Sequence, residues 1–277
     1  MATIYHKVSS SGYTFESDTP STTSVLATSG WTTALDLDFS SLSTGALTSG
    51  NGTKTFGGYS TWVKANSAND ATAMAITGGS GLVIVPGSTS DYNGATRTCP
   101  IIGLPISSAI TNFDAMRMAL RLWIYTSSVN YAANYDSVVF GFDDGSAVSG
   151  MIAKVGYYVG GVGLTRFFQS NSLNVGFNNC VATAANTNNV SLIEAPLGVY
   201  GGLIKTAVGT YSSGFPADTA MKWHTGTNNY GVTTQVTNGN TTPASTTWYA
   251  QIGAQRAASV TSLSVTVARM KIEYKPL

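Results

Sequence analysis

At 277 residues and 43% hydrophobic, the chain is long enough to bury a sizeable core, which excludes disorder throughout. Only 10% of its residues are charged and the net charge is +1, well under the ~25% charged content of typical domains. The basic residues form no run, so duplex nucleic acid is excluded as an expected partner.

The first 30 residues are rich in Ser and Thr, with isolated aromatics at Tyr5, Tyr13 and Phe15. That texture predicts an extended N-terminal arm over 1–30, followed by one folded domain over 31–277. Met1–Lys7 lacks the charged region and apolar block of a secretory signal. Together with the retained Met1, this leads to an expectation of synthesis in a host cytoplasm without a signal peptide. No apolar stretch approaches the ~20 residues of a membrane-spanning helix, so no membrane association is expected.

From Trp31 onward the hydrophobic pattern has period two. Leu35, Leu37 and Phe39 alternate with Asp36 and Asp38, giving a strand over 34–39 with its acidic side toward water. By strand geometry the two carboxylates lie about 7 Å apart, a spacing open to glycosidase chemistry but usual for a solvated face. Leu82–Val85 is a short apolar strand stopped by Pro86-Gly87. The clearest strand is Asp114–Tyr125, with Met116, Met118, Leu120, Leu122 and Ile124 on one face and Arg117, Ala119, Arg121, Trp123 and Tyr125 on the other. A helix would mix Arg117 and Arg121 into the apolar stripe, although Ala, Leu, Met and Arg all favour helix.

Ser137–Phe142 and Met151–Val159 flank Asp143-Asp144-Gly145, which reads as a wide hairpin. The helix candidates are short and lie around Pro216–Trp223. Trp248–Ala254 precedes a final strand, Leu263–Tyr274. There Leu263, Val265 and Val267 share one parity while Met270, Ile272 and Tyr274 share the other. A β-bulge near Ala268-Arg269 would return all six to one core. Many strands, polar turns and hardly any helix predict an all-β, antiparallel two-sheet sandwich of the jelly-roll kind.

Chemistry-bearing clusters are sparse. Cys99, Cys180, His6 and His224 are the only cysteines and histidines, so a protein-ligated zinc, which takes four such ligands, is not expected. The cysteines read as two free, buried thiols rather than as a disulfide. Asp143-Asp144-Gly145-Ser146 is the densest acidic spot and a candidate for calcium or sugar contact, although a calcium-loop spacing is absent. His224 is the one plausible base in the folded region, no GxSxG elbow occurs, and Gly156–Gly163 lacks a phosphate-loop lysine. No cofactor or metal is expected, and no catalytic residue is assigned.

Aromatic residues are the larger functional resource. Each of Trp31, Trp62, Trp123, Trp223 and Trp248 reads first as core packing. Trp123 and Tyr125 stand apart, because they lie opposite the apolar stripe beside Arg121. Either a second layer of the chain covers them or a ligand or partner does.

WYAQIGA at 248–254 and VTVARMKIEYKP at 265–276 resemble the closing strands of concanavalin A-like (lectin/glucanase, laminin-G-like) sandwiches. MRMALRLWIY followed by VVFGFDDGS resembles the middle of the same fold. The resemblance implies that fold over 31–277. The family's hydrolase signature, two Glu around an Asp on one strand, is missing, and no sugar ligands carry over. The uncharged Ser/Thr/Gly/Asn texture is also similar to tailed-phage structural proteins. The expected role is therefore a non-enzymatic virion structural or decoration protein on the particle surface. It would be a homo-oligomer bound to other virion proteins, with Tyr5, Tyr13, Phe15 and Trp31 docking the arm. The alternative is a carbohydrate-binding or host-attachment module using surface aromatics such as Trp123 and Tyr125 with Asp143 and Asp144. A polysaccharide-degrading enzyme ranks below both.

Overall fold

In the computed structural model the regular structure among the described residues is almost entirely β. The structure describes residues 4–9, 12–17, 30–47, 52–65, 74–86, 100–114, 117–130, 137–143, 153–160, 165–169, 177–178, 189–196, 203–210, 214–217, 234–235, 248–255 and 264–276. Cys99, Cys180, His224, Trp223 and Asp144 lie outside them.

Strands β1 (Ile4–Ser9) and β2 (Gly12–Ser17) form a two-stranded sheet of their own. The remaining strands are β3 (Thr32–Asp38), β4 (Gly45–Ala46), β5 (Gly52–Phe56), β6 (Tyr59–Ala65), β7 (Met74–Thr77), β8 (Gly81–Ile84) and β9 (Ile101–Pro105). They continue with β10 (Met118–Asn130), β11 (Ser137–Asp143), β12 (Ala153–Gly160), β13 (Thr165–Gln169), β14 (Phe177–Asn178) and β15 (Asn189–Pro196). Last come β16 (Leu203–Thr210), β17 (Thr234–Gln235), β18 (Tyr249–Gln255) and β19 (Ser264–Pro276).

Among the described residues these strands make two antiparallel sheets. The nine-stranded sheet runs β17-β16-β15-β10-β19-β8-β7-β4, with β3 also paired to β19. The eight-stranded sheet runs β14-β13-β12-β11-β18-β9-β6-β5. Their facing sides close one core. Leu120, Leu122, Ile124, Met270 and Ile272 from the first sheet pack with Trp62, Ile102, Phe140, Phe142 and Ile252 from the second. Phe39 and Trp62, both fully buried, meet edge-on with ring centroids 6.1 Å apart. This is the sandwich that the alternation predicts.

The bulge forms at the expected place. On β19, Arg269 pairs with Tyr125 and Val267 with Thr126, so Ala268 is the extra residue. Val265, Val267, Met270 and Ile272 consequently all enter the core, with Tyr274 packed against it. On its other edge β19 pairs with β8 through Val265–Val267 and with β3 through Arg269–Tyr274. Ala268 thus marks the point where β19 changes partner. Gly81 abuts this bulge at φ +127°, where a Cβ would run into the Val267 carbonyl oxygen, so only glycine suits the position.

One expectation needs correction. The strand expected over Asp114–Tyr125 starts at Met118; before it the Arg117 N–H donates to the Asp114 carbonyl, closing a turn. Of the short helix expected around Pro216–Trp223, residues 218–223 lie outside the described set. Short helices form at α1 (Ile106–Ala109) and in a 3-10 turn at Phe39–Ser41. The Asp38 carboxylate starts that turn, accepting from Ser40 N at 2.9 Å and Ser40 Oγ at 2.5 Å. Capping residues compete with the strand for backbone donors, which is why the strand ends at Asp38.

Candidate binding faces

The outer face of the nine-stranded sheet carries most of the chain's described charge. Register places Glu273, Arg121, Glu194 and Lys205 opposite one another on four successive strands, β19, β10, β15 and β16, alternating in sign. Such pairs are the unit of cross-strand stabilisation. Arg121 Nε donates to Glu194 Oε2 at 2.8 Å, and both side chains are buried. Trp123 Nε1 donates to Glu273 Oε2 at 2.7 Å, and Lys271 Nζ lies 2.8 Å from Glu273 Oε1.

Two aromatic rings lie over this polar layer. Trp31 sits over the Arg121 guanidinium at 4.1 Å and the Lys275 ammonium at 4.5 Å. Phe215 packs on Trp123 with ring centroids 5.7 Å apart, and Arg269 lies over Phe215 at 5.2 Å. Arg269 also grips Asp36 with two bonds, at 2.6 and 2.5 Å. Hydrogen bonding to Asp36, with its charge, raises the Arg269 guanidinium above its ordinary range despite partial burial.

Of the two alternatives posed for Trp123, the structure shows the second layer. Trp123 is 1% exposed; Phe215 of the same chain packs against it, and Lys271 Nζ stands 4.5 Å from its ring centroid. Tyr125, half-buried, packs against the same small cluster with Val190 and Leu192. Asp36 and Asp38, read as solvated, are exposed but engaged, one in an ion pair and the other as a cap. Trp62 and Trp248 are core residues, as expected.

The outer face of the eight-stranded sheet differs in kind. Ala250 and Ile252 point into the core, so Tyr249, Gln251 and Gly253 fall on the opposite side of β18. Register then sets Gly156, Gly141, Gln251 and Gly103 in one row across β12, β11, β18 and β9. Three of these four positions carry no side chain, and Gln251 between them is fully buried. One rung along, Tyr249 pairs with Asp143 on one side and Pro105 on the other. Gly253 completes the pattern: a Cβ there would strike the Pro100 carbonyl, to which Ala254 N donates at 3.3 Å.

Asp143, expected as a ligand candidate, therefore occupies a register position beside Tyr249, at the end of the β11–β12 hairpin. Tyr249, Gln251 and the glycine row were not singled out from the sequence. The signal was present in WYAQIGA, but only pairing brings Gly103 and Gly141 to Gln251.

In the N-terminal sheet Tyr5 pairs with Glu16, Tyr13 with Val8 and Phe15 with His6. Trp31, the fourth residue expected to dock the arm, rests on the sandwich itself.

Among the described residues no cluster of three His, Cys, Asp or Glu has metal-binding geometry. No described helix is long and apolar enough to cross a membrane.

No protein-family model matches the chain, and no curated protein sequence matches it. Solved structures are similar in their course. The carbohydrate recognition domain of Emp47p is 12% identical over 89% of this chain and 98% of its own, with a TM-score of 0.47. Lectin I-B4 from Griffonia simplicifolia is 7% identical over 87% and 99%, with a TM-score of 0.45. An alginate lyase of polysaccharide lyase family 7 is 9% identical over 77% and 94%, with a TM-score of 0.43. The lectins are proteins of the kind that the closing strands resemble. At these identities and scores the likeness carries no argument about ligand or activity, and the two-sheet antiparallel sandwich rests on the chain's own strand pairing.

Proposed function

We propose that this chain is a glycan-binding module, not a catalyst, that takes a neutral sugar on the outer face of the eight-stranded sheet near Tyr249. The observation that carries this reading is the row of Gly103, Gly141 and Gly156 in register with Gln251. The three glycines bring no side chain of their own to that stretch of the face. Tyr249, at the next rung on that face and in register with Asp143, supplies an aromatic ring there. A sugar ring asks for this pairing of an apolar face with hydrogen-bonding edges. A neutral ligand suits an exterior of hydroxyls and amides, since Glu194, Glu273 and Asp36 face cations and Asp38 caps a turn. That engagement also speaks against a pair of carboxylates doing acid/base work.

Glycan-array binding by the intact chain, compared with Tyr249→Ala, tests the reading. Binding that weakens about tenfold or more in the variant, with no cleaved product from the bound polysaccharide, is expected. Equal binding by the variant, or release of unsaturated or reducing ends, overturns it.

A second reading is favoured by β1 and β2, which pair only with each other among the described residues. A lone hairpin is marginal in water and gains by being covered. In this reading the hairpin mounts the sandwich, as a homo-oligomer, on a virion surface among other virion proteins. Deleting residues 1–30 should then abolish copurification with particles, and normal incorporation of the truncated chain overturns the reading.

A further inference from the structure

Two tryptophans on the outer face of the nine-stranded sheet are held by opposite means. Trp123 is held by its N–H, donated to Glu273 at 2.7 Å. Trp31 Nε1 is buried and has no hydrogen-bond partner among the described residues, yet the ring faces two cations, Arg121 at 4.1 Å and Lys275 at 4.5 Å. Neither cation is loosely placed. Arg121 is held by Glu194, its register partner on the neighbouring strand. Lys275 is buried near the end of β19. Trp31 immediately precedes the last rung of the β3–β19 ladder, Thr32 opposite Tyr274. The residue that joins residues 1–30 to the sandwich is thus clasped to β10 and to the C-terminal end of β19.

We propose that Trp31 is a latch: gripped through its ring face by Arg121 and Lys275, it anchors the start of β3 on the sheet. The grip is electrostatic attraction of cations to the ring quadrupole in a desolvated setting. It needs an aromatic face and makes no use of the indole N–H. Phenylalanine therefore substitutes for Trp31 but not for Trp123. Release of the latch frays β3 from its Thr32 end and leaves the interior strands as they are. The inference stands whether or not the sandwich binds a glycan.

Amide hydrogen exchange on the full chain tests it, comparing the wild type with Trp31→Ala, Trp31→Phe and Phe215→Ala. Exchange at Thr32 and Thr33 is expected to quicken about tenfold in W31A, to stay within about twofold of wild type in W31F, and to be unchanged in F215A. F215A removes a similar ring from the same face but away from the joint, so it reports general loosening. Should W31A fail to fold, Lys275→Met removes one side of the clasp and should quicken the same amides about threefold. The latch is overturned if the joint exchanges at the wild-type rate in W31A (or in K275M when that variant stands in). It is equally overturned if W31F behaves as W31A does, or if F215A loosens the joint as much.

Discussion

Glu273 accepts the indole N–H of Trp123 at 2.7 Å while its other oxygen holds the Lys271 ammonium at 2.8 Å. One carboxylate therefore satisfies two buried or nearly buried donors. Glu273→Ala should destabilise the fold by about 3 kcal/mol, because it strands both, whereas Glu273→Gln should cost about half as much. Urea unfolding with a constant denaturant slope checks the comparison.

The Arg121–Glu194 pair invites a double-mutant cycle. Removing either partner leaves a buried charge and should cost about 3–5 kcal/mol. Replacing both, Arg121→Met with Glu194→Leu, should return most of that loss, since apolar groups of similar volume need no partner. Trp31 would keep only Lys275 in the double variant, so recovery short of the wild type is expected.

Gly81 reports on the bulge. Gly81→Ala places a methyl group against the Val267 carbonyl at a φ of +127°, and should cost at least about 2 kcal/mol. Deleting Ala268 is more severe. It sends Val265 and Val267 to the outer face, and the expected outcome is a chain that does not fold, read by loss of cooperative unfolding.

Stability and binding should separate at two aromatic residues. Trp62→Ala empties the centre of the core beside Phe39 and should cost about 3–5 kcal/mol. Tyr249→Ala, on the outer face, should cost under about 1.5 kcal/mol and appear instead in glycan affinity. Calorimetric unfolding alongside binding titration distinguishes the two.

Asp36→Asn should have a small effect, about 0.5 kcal/mol, because the Arg269 pair is substantially exposed. Its cost should fall further as salt is raised, measured by thermal unfolding at low and high ionic strength.

Alternation along single strands was readable from the residues because the face a side chain takes in a strand is a local property. Leu35 and Leu37 point inward for that reason, and the parity change between Val267 and Met270 required an extra residue at the position where Ala268 supplies it. The antiparallel sandwich followed from the same rule. Tertiary structure alone decided which strands meet and what lies over them. Nothing local to Asp36 names Arg269 as its partner. Nothing near Trp123 shows that Phe215 covers it, or that Trp31 settles over Arg121. Gly103, Gly141 and Gln251 become one row only when distant strands pair in a given register. Alternation sorts side chains between two faces of one strand, whereas partners and coverings depend on contacts between segments far apart in the chain, and those are set by the packing of the whole.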